Sequence, residues 1–264
     1  MKSNTQEIEA TFIIRSENPH VLTGQIANLS SIANYQLLLQ DSEEIHDRYF
    51  DTSDGKLKNQ KLALRVREID TKFWITLKGG SKRTDWGGLQ RLEIEAPWSY
   101  EALKRVIQEI KERNIKLLQQ DLEFAFEHPI DVLTHLGLKI IQDRETYRKI
   151  RNIVTMGEKN RKVIAELAID LVKYHFSNQE VFHHELEIEA KMKNGLVMLK
   201  NIIEKLVTTF GPELRLWKHG KLVTGKAIEK LLSEGTLIGM LDENNYLKPI
   251  AYDIIEEYLN SGNF

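Results

Sequence analysis

The chain has 264 residues, 41% hydrophobic and 29% charged, with 37 Lys and Arg against 39 Asp and Glu for a net charge of −2. That composition supplies a buried core, contains no apolar run long enough to span a membrane as a helix, and lacks the basic excess of a general nucleic-acid binder. Cysteine is absent, which excludes disulfides, thiolate nucleophiles and cysteine zinc sites; with no apolar N-terminal stretch to act as a secretory signal, a cytoplasmic location is expected.

The first alternating segment is EIEAT, which puts Glu7 and Glu9 on one side of a strand, two residues apart, where like charges repel. Helical spacing follows over residues 19–33. LRVR then sets Leu64 and Val66 against Arg65 and Arg67, WITLK sets Ile75 and Leu77 against Thr76 and Lys78, and RLEIE sets Leu92 and Ile94 against Arg91, Glu93 and Glu95. Helices are expected over 99–118, where Ser99 offers an N-cap, and over 130–136. AELAID sets Leu167 and Ile169 against Glu166 and Asp170, and HHELEIEA sets Leu186 and Ile188 against Glu185, Glu187 and Glu189. Helices over 196–209, 224–233 and 249–259, the last opened by Pro249, follow. No Pro/Gly/Ser-rich linker and no repeat of fixed period interrupts this order.

Each alternating segment has an apolar and a charged face, the pattern of an antiparallel sheet with one side on a core. A face that merely met water would carry mixed polar residues. Here pairs of Arg and pairs or triples of Glu recur at i, i+2 spacing, which costs stability unless a ligand of opposite sign offsets it. Arginine pairs suit phosphate, read by their planar forks. Glutamate pairs suit a hard divalent cation. A polyphosphate carrying Mg2+ or Mn2+ meets both demands, and a closed barrel with a polar lumen lets many strands face one ligand.

The ordered set EIE, RYFDTSD, LRVR, TLK, RLE, a long helical insert, DRxxY, AELAID, ELEIE and GKLVTG resembles the triphosphate tunnel metalloenzymes, the CYTH superfamily, from about Glu7 to Gly225. Within it the chain looks most like bacterial inorganic triphosphatases, without the CHAD domain that often follows the tunnel. The resemblance implies an α+β fold: an eight-stranded antiparallel β-barrel tunnel with a polar lumen, flanked by helices, over residues 1–225, and a C-terminal helical extension over 226–264. It implies a divalent metal, Mg2+ or Mn2+, held by Glu7, Glu9, Glu187 and Glu189, with Asp170 and Glu166 at acidic positions that favour a second ion. Catalytic weight falls on Glu7, Glu9, Asp170 and Glu187. Arg65, Arg67, Lys78, Arg91, Arg144 and Lys221 match the residues that grip phosphates. The expected ligand is a small-molecule triphosphate, inorganic tripolyphosphate first, with no nucleic acid and no membrane as partner. Thiamine triphosphate hydrolysis, a class IV-like adenylyl cyclase and a binding module with little turnover are the alternatives.

One departure stands out. The family's first motif has a lysine two residues past the second glutamate, where this chain has Thr11; Arg15 shares that strand face but sits about 13 Å further along at roughly 3.3 Å per residue, a gap an arginine side chain would struggle to span. GKLVTGKA (220–227) resembles a phosphate loop but has Ala227 where a magnesium-binding hydroxyl belongs. GGSKRTDWGG (79–88) reads as a hairpin loop whose Lys82 and Arg83 could touch a substrate. Adjacent His183 and His184 point to opposite sides of a strand and read as structural.

Overall fold

The computed structural model describes residues 8–83, 89–118, 128–157, 161–192 and 196–262 and, apart from residues 80–83 and 89–92, their side chains. In chain order the elements are β1 (Glu9–Ile14), α1 (Pro19–Ala27), β2 (Ser31–Ile32), β3 (Tyr35–Leu39), β4 (Glu43–Thr52), α2 (Lys56–Asn59), β5 (Leu62–Ile69), β6 (Lys72–Arg83), β7 (Leu89–Pro97), α3 (Tyr100–Glu112) and α4 (Pro129–His135). They continue with β8 (Leu138–Thr155), β9 (Val163–His175), β10 (Glu180–Ala190), α5 (Leu196–Phe210), β11 (Leu214–Trp217), α6 (Lys221–Ser233) and α7 (Pro249–Asn260). The chain divides into two compact units, one from residues 44–145 and one from the residues on either side of them.

In the unit of residues 44–145 the first part of β8 lies beside β4, followed by β5, β6 and β7. Alternation sets its faces: Leu62, Leu64 and Val66 of β5 and Ile75 and Leu77 of β6 are buried in the core, which leaves Arg65, Arg67 and Thr76 for the other side. The β5–β6 hairpin turns through Asp70 and Thr71, both at positive φ, as a two-residue turn that follows strand twist requires. Gly79 has φ +121°, and a Cβ there would come within 1.9 Å of the Lys61 carbonyl oxygen, so no side chain fits. Helix α3 covers the apolar face. Its N-cap Ser99 Oγ accepts from the Ala102 N–H at 3.2 Å, and Ala102, Leu103, Val106, Ile107 and Ile110 recur at helical spacing and are buried. Each such leucine or isoleucine contributes about 1.5–3 kcal/mol by leaving water. In the RYFDTSD stretch the buried Asp51 carboxylate accepts from the N–H groups of Thr52, Leu57 and Lys58 at 2.7, 2.8 and 3.0 Å, so its role is to fold the turn that starts α2.

In the other unit the order is β11, β1, β10, β9 and the second part of β8, with the β2–β3 hairpin paired to β8 through β3. Both faces of this sheet are packed. Phe12, Ile14, Leu167, Ile169, Leu186 and Ile188 meet α1 and α5 on one side. On the other, Ile13, Val172, Tyr174, Val181 and Trp217 meet Ile228 and Leu231 of α6 and Tyr252, Ile255 and Leu259 of α7.

The antiparallel α+β sheet with flanking helices matches the sequence reading, with two corrections. Among the described residues there are eleven strands rather than eight, β2 and β11 being too short to show a pattern, and the pairing path ends at β11 and β7 instead of closing. Helix boundaries move as well. The helix expected over 19–33 stops at Ala27, where Arg151 donates to the carbonyls of Ala27 and Leu29 and the chain turns into β2. The one expected over 99–118 ends at Glu112, ahead of Asn114 at φ 61°. The helix expected over 224–233 begins at Lys221, so GKLVTGKA is the first part of α6 and not a phosphate loop. Among the described residues no helix is long and apolar enough to cross a membrane.

Candidate functional site

In the unit formed by the residues on either side of 44–145, strand register places the carboxylates of β1, β10 and β9 in rows. Glu9, Glu189 and Glu166 face one another across β1, β10 and β9; Thr11, Glu187 and Ala168 form the next row; Ile13, Glu185 and Asp170 the next. Along that face the rows pass from half-exposed glutamates to buried carboxylates and then to the apolar packing of Val172, Tyr174 and Val181.

Two cations stand among the buried carboxylates. Arg148 of β8 donates from Nε and Nη2 to the two oxygens of Asp170 at 2.8 and 2.7 Å, and from Nη2 to Glu187 at 2.6 Å. Lys221, the first residue of α6, places Nζ 3.1 Å from Asp170 and 2.9 Å from Glu185, and donates to Glu187. Asp170 and Glu185 are both 0% exposed. Burial pushes the Glu185 carboxyl up, with Lys221 only partly opposing it. For Asp170 burial pushes the same way, but Lys221 and Arg148 overcome it and hold the pKa below the usual carboxylate range. Lys221 is the reciprocal case: burial disfavours its charge, and Glu185, Asp170 and Glu187 raise its pKa despite that. At the half-exposed end Lys191 bridges Glu189 at 2.7 Å and Glu166 at 3.7 Å.

In the unit of residues 44–145 the charged face gathers around one aspartate. Asp47 of β4 is 1% exposed. Arg67 donates to its two oxygens from Nε and Nη2 at 2.7 and 2.9 Å, Arg144 Nη2 donates to Oδ2 at 2.5 Å, and Arg65 Nε stands 3.6 Å from Oδ1. Burial raises the Asp47 pKa, but Arg144, Arg67 and Arg65 reverse that and hold it far below the usual carboxylate range. The Tyr49 ring lies under two of these guanidiniums, 5.4 Å from Arg144 Cζ and 5.9 Å from Arg65 Cζ. Arg65 Nη2 also donates to Thr76 Oγ1 and Glu95, both at 3.3 Å. Lys78 pairs with Glu93 at 2.8 Å, and both are about half exposed. Asp143, beside Arg144 in the chain, turns instead to His46 at 2.5 Å.

The expected residues therefore fall into distinct sets. Arg65, Arg67 and Arg144 converge on Asp47; Asp170, Glu187 and Lys221 converge with Arg148 and Glu185; Glu166, Glu189 and Glu9 share a row. Lys78 stands apart with Glu93. Glu7 lies outside the described residues, as do the side chains of Arg91, Lys82 and Arg83. Arg15 is engaged by α7, donating to the Pro249 carbonyl at 3.1 Å and to Asp253. Sequence reasoning passed over Asp47, a single acidic residue with no repeated pattern around it. It allowed at most one of Arg148 and Arg151 to join Arg144 on the charged face; Arg148, which shares strand parity with Arg144, pairs with Asp170 and Glu187, whereas Arg151 donates to the Ala27 and Leu29 carbonyls. His183 stacks on Tyr174 at 5.5 Å, and His184 packs against Tyr246 and His20.

Oxygen donors of this kind suit a hard divalent cation in their chemistry. Their arrangement does not present such a site: Asp170 and Glu187 face Arg148 and Lys221, Glu166 and Glu189 face Lys191, and among the described residues no three such side chains could hold a metal ion together.

Fold and faces together define an α+β protein with one strand surface rich in carboxylates and one rich in arginines. The CYTH domain model matches residues 6–212, and the chain belongs to that family. The family comprises triphosphatases and adenylyl cyclases that use divalent metal ions. Among solved structures, an adenylate cyclase candidate from Bacillus halodurans aligns at 19% identity and TM-score 0.47 over 82% of this chain and 95% of its own. A Hippeastrum protein described as an adenylyl cyclase candidate with a dominant triphosphatase activity aligns at 18% identity and TM-score 0.48 over 85% and 97%. A Pyrococcus horikoshii protein aligns at 16% identity and TM-score 0.42 over 87% and 99%. No curated protein matches the chain.

Proposed function

We propose that this protein is a metal-dependent phosphohydrolase acting on a compact triphosphate, inorganic tripolyphosphate first. The observation that carries the reading is the cluster of Arg65, Arg67 and Arg144 around Asp47: three guanidiniums against the Asp47 and Glu95 carboxylates leave a partly buried excess of positive charge, which a polyanion answers. In this reading those arginines hold the phosphoryl oxygens and offset the charge that builds on them in phosphoryl transfer. Lys78 and Arg91 are further phosphate contacts. Lys221 and Arg148 keep Asp170 and Glu187 ionised and fixed in place. As the side chains stand, Arg148, Lys221 and Lys191 occupy Asp170, Glu187, Glu189 and Glu166; Glu7, Glu9, Glu187 and Glu189, with Asp170 and Glu166, would hold Mg2+ or Mn2+ only on release from those cations, and the ion would then withdraw charge from phosphate oxygens.

A binding module with little turnover is the second reading, and Thr11 supports it. That residue lies opposite Glu187 in register, where the family's lysine would add a cation. Product analysis separates the readings: tripolyphosphate, ATP and thiamine triphosphate are each incubated with Mg2+ and Mn2+, and phosphate, pyrophosphate and cyclic AMP are measured. Phosphate release with tripolyphosphate as the best substrate is the expected result. Cyclic AMP from ATP would make the protein a cyclase, and tight binding with no product would make it a module.

A further inference from the structure

We propose that Asp47 is a positioning residue for anion recognition, one buried carboxylate that fixes the spacing and orientation of Arg65, Arg67 and Arg144 so that they meet a polyphosphate as a preformed set. The inference rests on the phosphate reading of this basic face and extends it to a residue that touches no ligand. Geometry carries it. Asp47 takes the Nε and Nη2 fork of Arg67, the Nη2 of Arg144 on the same oxygen as one arm of that fork, and the nearby Nε of Arg65. The three arginines come from β5 and β8, on either side of β4, and in the absence of a common anchor their like charges would drive them apart. Tyr49, two residues along β4, supports the same two guanidiniums, Arg65 and Arg144, from a ring face. One carboxylate under three cations organises the cluster without neutralising it.

This role makes a prediction opposite in sign to simple charge counting. Asp47→Asn makes the face more positive, which by charge alone tightens a polyanion. Loss of the anchor instead loosens it, because preorganisation lowers the cost of binding. The experiment is calorimetric titration of inorganic tripolyphosphate and of inorganic phosphate into wild type and Asp47→Asn, with a melting curve on each. The expected result is tripolyphosphate affinity weaker by about tenfold or more, together with lower selectivity over inorganic phosphate, a ratio that a merely structural residue would leave unchanged. Equal or tighter tripolyphosphate binding by folded Asp47→Asn overturns the proposal. Should that variant not fold, Arg67→Lys decides: it keeps the charge and loses the fork, so weakening comparable to Arg67→Ala is expected and wild-type affinity overturns the role. Wild type that binds no tripolyphosphate is a separate outcome, read from the first titration, and it removes the phosphate reading along with the inference.

Discussion

Lys221 Nζ lies among three carboxylates of which two are fully buried. Removing its charge while keeping its bulk leaves Asp170 and Glu187 to Arg148 and takes from buried Glu185 the lysine that faces it. Lys221→Met is therefore expected to destabilise the fold by about 3–5 kcal/mol, the cost of breaking a buried pair from one side. Denaturant unfolding measures it, and a loss under about 0.5 kcal/mol, typical of a surface change, would place the lysine in solvent. Thr11 lies across from Glu187, and Arg15 is committed to α7. Thr11→Lys thus supplies a cation that Arg15 does not, and kcat with tripolyphosphate is expected to rise; a fall would mean that the position is already served. His184 is pushed down to about 4, first by burial and then by His20, with Lys149 adding a little. Its ring faces His20 and Tyr246. Because the unfolded chain takes up a proton near pH 6.5 and the folded one near pH 4, stability is fully present above about pH 6.5 and declines as pH falls toward 4, by on the order of 3 kcal/mol. His184→Phe should flatten that part of the pH dependence of urea unfolding; an unaltered slope would assign it to other groups.

Helices α6 and α7 pack on the sheet rather than trailing from it. Much of α6 and all of α7 lie within 226–264, past the CYTH match at 212, yet Ile228, Tyr252 and Ile255 share a core with Ile13, Val172 and Val181 of three strands. Arg215 of β11 adds ion pairs to Asp253 and Glu256 of α7. Ile255, 0% exposed, is the most direct probe: Ile255→Ala should cost about 2–5 kcal/mol. A melting temperature close to wild type would mean that the helix is dispensable. Strands such as β5, β9 and β10 were legible in the sequence because each alternates over several residues with one face in a core. The two-residue β2 and four-residue β11 have no room for a pattern, and the β5–β6 turn carries Asp70 and Thr71 at positive φ where glycine or asparagine would have announced it. Parity gave the faces of Arg65, Arg67, Glu187 and Glu189. Partners were beyond it, because Asp47 meets its arginines across strands and Lys221 arrives on a helix, and such pairings exist only once chain-distant segments have come together.

At the scale of the whole chain, the two units carry opposite signs on their charged faces: an arginine cluster with net positive charge in residues 44–145, and a carboxylate cluster with its own internal cations in the other unit. A net charge of −2 conceals this separation. Composition argues only against a general nucleic-acid binder, whereas the ordered charge pairs along the sequence motivate the polyphosphate proposed above. The most direct test of the account is orthophosphate release from inorganic tripolyphosphate, measured with Mg2+ or Mn2+ and again after chelation, in wild type, Glu187→Gln and Arg67→Ala. The account predicts metal-dependent release by wild type that is abolished in Glu187→Gln and, in Arg67→Ala at subsaturating substrate, slowed about tenfold or more, as expected for losing a hydrogen bond to a charged group. No release by wild type with either ion, or equal release by all three proteins, would contradict it.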